Sequence, residues 1–185
     1  MNILGVFIIV LVILLLWAIA IYNRFIKLKN GTNESYSGID VQLKRRYDLI
    51  PNLIEVVKGY ASHEEGTLLK VTEARNIAMS VNKGDIKAAS EAENTLTSTL
   101  KTLFALAENY PELKANQNFL ELQNSLSDIE DAIQNARRYY NAIVKDYNIL
   151  CESFPSVIIA SIFNFQKRDF FDIADNEREN IKVKF

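Results

Sequence analysis

The chain has 185 residues, with 21 Lys and Arg against 23 Asp and Glu, a net charge of −2 at pH 7. This balance excludes the strongly basic surface typical of nucleic-acid-binding proteins, so we expect no nucleic-acid partner. Cys151 is the single cysteine, which excludes an intrachain disulfide, and only 3 Pro and 6 Gly argue against a loop-rich fold.

The first element in the chain is an apolar run. Residues 3–21 carry no charge, Asn, Gln or Pro, and a helix needs roughly 20 such residues to cross a bilayer. We predict a transmembrane anchor over residues 1–23, with the span at about 3–21. A cleaved signal peptide stays open as the alternative because residues 18–20 read Ala-Ile-Ala, but the run is longer than a signal core and no Lys or Arg precedes it.

Positive charges follow the span and set its predicted orientation. Arg24, Lys27 and Lys29 come directly after it, and cationic flanks stay in the cytoplasm. We therefore expect a single-pass protein with its N-terminus outside and the remaining residues in the cytoplasm, with the lipid bilayer as its first partner.

Beyond the anchor, apolar residues recur at spacings of three and four, which predicts amphipathic helices. The four stripes are Leu43, Tyr47, Ile50, Ile54, Val57 and Ala61; Leu68, Val71, Ala74, Ala78 and Val81; Ile86, Ala89, Leu96, Leu100, Leu103, Ala107 and Tyr110; and Phe119, Leu122, Leu126, Ile129, Ile133, Ala136, Tyr140, Ile143, Tyr147 and Leu150. Glu93 alone interrupts the third. Helices with such stripes bury them by packing together, so the predicted fold is all-α: an up-and-down four-helix bundle of long antiparallel helices over residues 24–152.

Local signals place the helix ends. Ser62 and Glu65 have the spacing of a capping box, and Asp85 is suited to an N-cap. Pro111 is expected to end the third helix and Pro51 to kink the first, because proline lacks the amide hydrogen that a helix interior uses.

Six segments beyond the anchor form a recognisable set: GIDVQLKRRYDLIPNL at 38–53, VVKGYA at 56–61, VTEAR at 71–75, YPELKA at 110–115, ARRYYN at 136–141 and SFPS at 153–156. The first resembles the signature of the LemA family almost letter for letter, and the other five resemble later blocks of that family. The resemblance implies a bacterial inner-membrane or plasma-membrane protein with an N-terminal anchor, a helical bundle and no established enzymatic activity. It also implies roles in membrane organisation or in quality control beside membrane proteases. Residues 30–33, Asn-Gly-Thr-Asn, depart from the family pattern and indicate a hinge between anchor and bundle.

The sequence gives no sign of an enzyme. His63 is the only histidine, and its neighbours Glu64 and Glu65 point about 100° apart on a helix, which does not assemble a metal site. Phosphate-binding and nucleophile-elbow motifs are absent from the sequence. We therefore expect no catalytic residue, no cofactor and no metal.

Charged residues on two helices form a candidate partner-binding face or interhelix ion-pair face. They are Asp40, Lys44, Arg45, Arg46, Asp48, Arg137 and Arg138. The spacing of four between Asp40 and Lys44, and between Lys44 and Asp48, also fits an ordinary ion-paired surface. Arg137 and Arg138 have no carboxylate four residues earlier, and we hypothesise a cross-helix network with Asp48, Glu55 or Glu73.

A short apolar segment, residues 153–171, follows the last long helix. Its candidate contact residues are Phe154, Val157, Ile158, Ile159, Ile162, Phe163 and Phe165. Too short to span, it fits either an interfacial helix, with Lys167 and Arg168 near lipid phosphates, or a plug that closes one end of the bundle. Residues 172–185 are expected to form a flexible tail, with the carboxylate of Phe185 as a candidate partner contact.

Two functions remain open from the sequence. The first is a membrane scaffold or organiser that works by self-association. The anchor, the coiled-coil-like stripes and the absence of catalytic and small-ligand signatures favour it, and it predicts a homo-oligomer. The second is an adaptor or regulator of another membrane protein, such as a membrane protease. Stripes that are fully buried within one chain favour the adaptor, whereas a left-over apolar face favours assembly.

Overall fold

The computed structural model describes residues 2–82 and 84–171, and within these ranges it is helical and contains no strand. The helices are α1 (Ile3–Lys58), α2 (Glu65–Ser80), α3 (Ile86–Ala107), α4 (Pro111–Lys114), α5 (Gln117–Glu152) and α6 (Ser156–Ile162). The all-α class predicted from the sequence is confirmed. The predicted tail, residues 172–185, lies outside the described residues.

The start of α1 is the one helical stretch, among the described residues, that is long and apolar enough to cross a membrane. Most of its apolar side chains are exposed: Leu4 is 69% exposed, Phe7 63% and Leu16 61%. An apolar helix surface that faces no other helix is suited to a lipid environment. This supports the membrane anchor predicted from composition.

The hinge expected at residues 30–33 is absent, because α1 continues through them without a break. Thr32 and Ser35 are buried, and their hydroxyls donate to the carbonyls of Lys29 and Thr32 at 2.7 and 3.0 Å. These bonds satisfy the polar side chains inside the helix. A Cβ added at Gly31 would lie 3.6 Å from the side chain of Ile143, so this glycine sits in contact with α5.

The helices divide into two compact units, the first made of residues up to 37 together with 138–170, and the second of residues 38–137 with Phe171. The core of the second unit contains most of the predicted stripes from α1, α2, α3 and the first part of α5. Its fully buried members include Ile50, Leu53, Val71, Leu96 and Leu103. The stripe residues of the sequence are thus buried or half-buried in the structure.

The buried face of α1 differs slightly from the predicted stripe. Ile39, Leu43, Ile50, Leu53 and Val57 are buried, and Arg46 is buried among them at 2% exposure. Tyr47 and Ile54, which the sequence placed on the stripe, are half-buried at its side. The apolar pattern favoured Tyr47 over Arg46, so the position of a buried arginine was missed.

Helix ends follow the sequence in part. Asp85 caps α3 as predicted, accepting from the amide of Ala88 at 3.0 Å. The capping box of Ser62 is wrong, because α2 begins only at Glu65 and its N-cap residue, Glu64, makes no side-chain cap bond. The Glu64 carboxylate accepts instead from the hydroxyl of Tyr110 at 3.1 Å. Helix α3 ends at Ala107, before Pro111, which starts the short helix α4.

Pro51 lies inside α1, and an arginine from another helix replaces the hydrogen bond that it removes. Proline has no amide hydrogen, so the carbonyl four residues earlier, that of Tyr47, loses its helical donor. The Nε of Arg75, on α2, donates to this carbonyl at 2.8 Å. The arginine therefore stabilises the interrupted helix and fixes α2 against it.

This arrangement predicts that the stability effect of Arg75 depends on Pro51. We expect Arg75→Ala to lower the free energy of unfolding by about 1–3 kcal/mol, because it leaves a carbonyl without its donor. In a Pro51→Ala background, where the helix supplies its own amide, the same change is expected to cost clearly less. Denaturant unfolding of the four proteins, followed by circular dichroism, measures the difference. Equal losses in the two backgrounds would contradict the account.

Candidate functional site

A buried polar cluster lies in the core of the second unit and joins α1, α3 and α5. One guanidinium nitrogen of Arg46, Nη1, lies 3.4 Å from Oε2 of Glu93 and 3.1 Å from Oε2 of Glu130. The other, Nη2, donates to the hydroxyl of Thr97 at 2.6 Å. The side chains of Arg46 and Glu93 are only 3% and 1% exposed, whereas that of Glu130 is 25% exposed.

Tyr47 and Arg137 complete the surroundings of Glu93. The Tyr47 hydroxyl donates to Oε1 of Glu93, and the Arg137 guanidinium carbon lies 4.5 Å from the centre of the Phe171 ring. Burial raises the pKa of Glu93, and this outweighs the hydrogen bond from Tyr47 and the positive charges of Arg46 and Arg137, which lower it. Burial and the nearby Glu93 also raise the pKa of Tyr47 well above its ordinary value.

The ion pairs of this cluster connect helices to one another. A buried arginine between two carboxylates has its charge compensated and its donors used, which allows it to exist in an apolar core. Arg46, Glu93 and Glu130 belong to α1, α3 and α5. A shift of one of these helices relative to the others would therefore separate the three charges. The cluster therefore fixes the register of three helices.

The remaining charged candidates lie at the surface of the second unit. Lys44, Arg45 and Asp48 are exposed, and Asp40 is half-exposed. Arg45 and Asp48 line an open groove of about 440 Å³ between α1 and α5, together with Gln42, Leu49, Ser125, Asp128, Ile129 and Ala132. Gln42 accepts from Nη1 of Arg45 at 3.3 Å. The charged groups that line the groove are one guanidinium and two carboxylates, those of Arg45, Asp48 and Asp128.

The two arginines of α5 have different environments. Arg137 is buried, and the carboxyl group whose pKa it lowers is that of Glu93. Arg138 is exposed. The partners named from the sequence, Asp48, Glu55 and Glu73, are all exposed side chains.

Residues 153–170 of the apolar C-terminal segment belong to the first unit, and this part of the segment has two faces. Its inner face packs into a cluster in which Ile159 and Ala160 are buried with Phe25, Tyr147 and Leu150. The half-buried Phe165 stacks on Phe25, with ring centres 4.5 Å apart and planes 7° from parallel.

The outer face of this segment is exposed. Phe154 is 82% exposed, Ile162 67%, Phe163 52%, Ile158 49% and Val157 38%. The seven residues proposed from the sequence thus divide into two that pack inward, Ile159 and Phe165, and five that face outward.

Sequence reasoning missed Glu93, Thr97 and Glu130 as partners of Arg46. The available signal was the interruption of the third stripe by Glu93, since a carboxylate on a buried face requires a partner of opposite charge. Arg46 occupies the corresponding face of α1, three residues after Leu43 and four before Ile50. Matching the two charged interruptions would have identified the pair.

Comparison with known proteins finds one matching family model and several similar proteins. The sequence model of the LemA family matches residues 35–185. The chain is 25% identical over 174 residues to Magnetosome protein MamQ 2 of Paramagnetospirillum magneticum, with 81% of this chain and 64% of the relative covered. It is 23% identical over 174 residues to Magnetosome protein MamQ of Magnetospirillum gryphiswaldense, with the same coverage.

A third relative is Protein LemA of Metamycoplasma hominis, which is 27% identical over 152 residues. The match covers 82% of this chain and 67% of that protein. The chain therefore spans about two thirds of the length of these relatives.

The raised pKa of Glu93 predicts a specific pH dependence of stability. The folded protein holds the Glu93 proton more tightly than the unfolded chain does, so this stabilising contribution is complete below the ordinary pKa of 4.5 and is lost as the pH rises through the folded value. We expect the free energy of unfolding to fall over that window, by at most about 1.4 kcal/mol per pH unit for one group.

Denaturant unfolding at a series of pH values checks this expectation. Glu93→Gln should remove the fall, because the amide does not titrate. Glu91→Gln, an exposed carboxylate on the same helix, is the matched control and should leave the fall unchanged. Identical pH profiles for the wild type and Glu93→Gln would show that this carboxyl does not set the dependence.

Proposed function

This chain belongs to the LemA family, and we propose that it is a non-enzymatic, membrane-anchored adaptor that binds another membrane protein through its second unit. In this proposal the start of α1 crosses the bacterial cell membrane with the N-terminus outside, and the charged groove of α1 and α5 lies in the cytoplasm. The partner is a protein segment whose charges complement Arg45, Asp48 and Asp128.

The observation that carries the proposal is the burial of the predicted stripes. Each stripe is covered within one chain, and a member of each is 0% exposed: Ile50, Val71, Leu103 and Ile133. A unit that covers its own stripes does not need a second copy to hide them. The exposed groove is polar instead, and polar, charged surfaces give specificity to regulated protein contacts.

Self-association as a membrane scaffold is the second candidate, and one feature of α2 favours it. Leu69 and Ile77 are each 57% exposed and Met79 is 53% exposed. These side chains are interleaved with polar residues, including the exposed Glu73 and Asn76. Such a mixed surface supports a smaller contact between copies than an exposed stripe would.

In-cell photocrosslinking separates the two candidates. We expect a photoreactive phenylalanine analogue at Ser125, in the groove, to give an adduct of defined mass with a different membrane protein. The same analogue at the exposed position Glu91 is the matched control and should not give it. The paired substitutions Arg45→Glu and Asp48→Lys should abolish the Ser125 adduct, because they reverse the charges that the partner recognises.

Two outcomes would contradict the adaptor proposal. An adduct at Ser125 that contains only two copies of this chain would favour the scaffold. Equal labelling at Ser125 and Glu91 would show that the groove is not a docking surface. The scaffold predicts in addition that Leu69→Asp with Ile77→Asp reduces the mass of the full-length protein in nanodiscs, measured by light scattering.

A further inference from the structure

We propose that the outer face of α6 is a second membrane contact, which lies in the interfacial region of the same bilayer that α1 crosses. We define this outer face as Phe154, Val157, Ile158, Ile162 and Phe163. The occupant is lipid, at the boundary between headgroups and acyl chains. The inference goes beyond the adaptor function, because it concerns how the first unit rests on the membrane and not what the second unit binds.

Large apolar side chains are exposed on one side of this short helix. Phe154 and Ile162 are 82% and 67% exposed. The other side of α6 is already used, since Ser156, Ile159 and Ala160 are buried. An amphipathic helix with one face packed and one apolar face open is suited to an interface in which that open face enters lipid.

The outer face of α6 also lies beside the end of the predicted span. The ring centres of Phe163 and Tyr22 are 4.7 Å apart, and Tyr22 directly follows the span. Ala18 and Ile21, from the last turns of the span, pack against the same cluster that buries Ile159 and Ala160. The outer face of α6 is therefore continuous with the surface where α1 leaves the hydrocarbon.

Hydrogen bonds at both ends of α6 fix its orientation. At its start, the hydroxyl of Ser156 donates to the carbonyls of Leu150 and Ser153, at 2.7 and 2.9 Å. At its end, Asn164 adopts φ 53°, and the amide of Phe165 donates to the carbonyl of Ala160 at 2.9 Å, the bond pattern of a Schellman cap.

The segment after α6 is also held in place. Asn148 forms a pair of hydrogen bonds with the backbone of Arg168, both of 2.9 Å, and the Arg168 guanidinium donates to Asn33 at 2.8 Å. The ammonium of Lys167 lies 2.7 Å from a carboxylate oxygen of Glu152. With both ends fixed, α6 cannot rotate its outer face inward without breaking these bonds.

Lipid is favoured over a second copy of the chain by this continuity. The exposed residues of α6 border a helix whose own apolar surface is open to lipid, so the bilayer reaches both without a further binding event. Aromatic side chains such as Tyr22 and Phe163 are also suited to the membrane interface, where an apolar ring meets the headgroup region.

Depth measurement on the full-length protein tests the inference. Single cysteines replace Ile158 or Ile162 in a Cys151→Ser background and carry a fluorophore, in nanodiscs of phosphatidylcholine and phosphatidylglycerol. Nitroxide-labelled lipid quenches a fluorophore in the bilayer, and aqueous iodide quenches one in water. Leu14→Cys, inside the span, is the lipid control. Glu34→Cys is the water control, because it lies twelve residues beyond Tyr22, about 18 Å along the helix.

We expect the labels at Ile158 and Ile162 to be quenched several-fold more by lipid nitroxide than the label at Glu34, and less by iodide. Labels at these two positions that behave like Glu34 would overturn the inference while a quenched Leu14 label still supports the anchor. The labels at Ile158 and Ile162 could instead be shielded from both quenchers, and this shielding could disappear when more lipid is added. That result would assign the outer face to a second copy of the chain and would also overturn the inference. A Leu14 label that lipid does not quench would contradict both the anchor and the second contact.

Circular dichroism separates a lost contact from a lost fold. Each labelled variant should keep the helical signal and the melting temperature of the Cys151→Ser parent, because the substituted side chains point away from the packed cluster. A second test needs no fluorophore. The double substitution Ile158→Asn with Ile162→Asn should leave that melting temperature in detergent unchanged. In nanodiscs it should raise the reactivity of a cysteine placed nearby, Ser161→Cys, towards an aqueous thiol reagent. No change in this reactivity would overturn the inference.

Discussion

The packing of the second unit depends on one buried charge, that of Arg46. Its guanidinium reaches Glu93 on α3 and Glu130 on α5 from a position on the buried face of α1. An arginine that is almost fully buried is tolerated in an apolar core only if its charge and its donors are satisfied. The hydrophobic effect around it is non-directional, whereas these ion pairs form in one register only.

A second constraint supports the first. Pro51 interrupts the hydrogen bonds of α1 one turn after the Arg46 cluster, and Arg75 of α2 donates to the Tyr47 carbonyl that the proline leaves without a helical donor. Tyr47 in turn donates its hydroxyl to Glu93. Four helices are thus fixed by polar groups that lie within a few residues of each other on α1.

Much of the fold could be predicted from the sequence, because apolar residues recur at spacings of three and four on the face that a helix buries. The stripes gave α2, α3 and α5 within a few residues, and Asp85 marked the start of α3. On α1 the prediction put Tyr47 on the buried face, whereas the structure buries its neighbour Arg46. Apolar periodicity favours a tyrosine over an arginine and does not detect a charge that is compensated by residues of other helices. The hinge at residues 30–33 was wrong for a related reason: Thr32 and Ser35 bond to their own helix, and Gly31 packs against Ile143. The two faces of α6 required the structure, because the sequence does not show which side of a short apolar helix is already covered.

The most direct test of this account is a double-mutant cycle between Arg46 and Glu93, with the free energy of unfolding measured in denaturant for the wild type, Arg46→Met, Glu93→Leu and the double variant. We expect Arg46→Met to cost about 3–5 kcal/mol, because it leaves a buried carboxyl without its cation, and Glu93→Leu to cost less, because Arg46 keeps Glu130. The double variant should recover much of the loss, whereas Arg45→Met, at an exposed neighbour, should change stability by no more than about 0.5 kcal/mol. Losses that simply add would contradict the claim that this ion pair holds the helices in register.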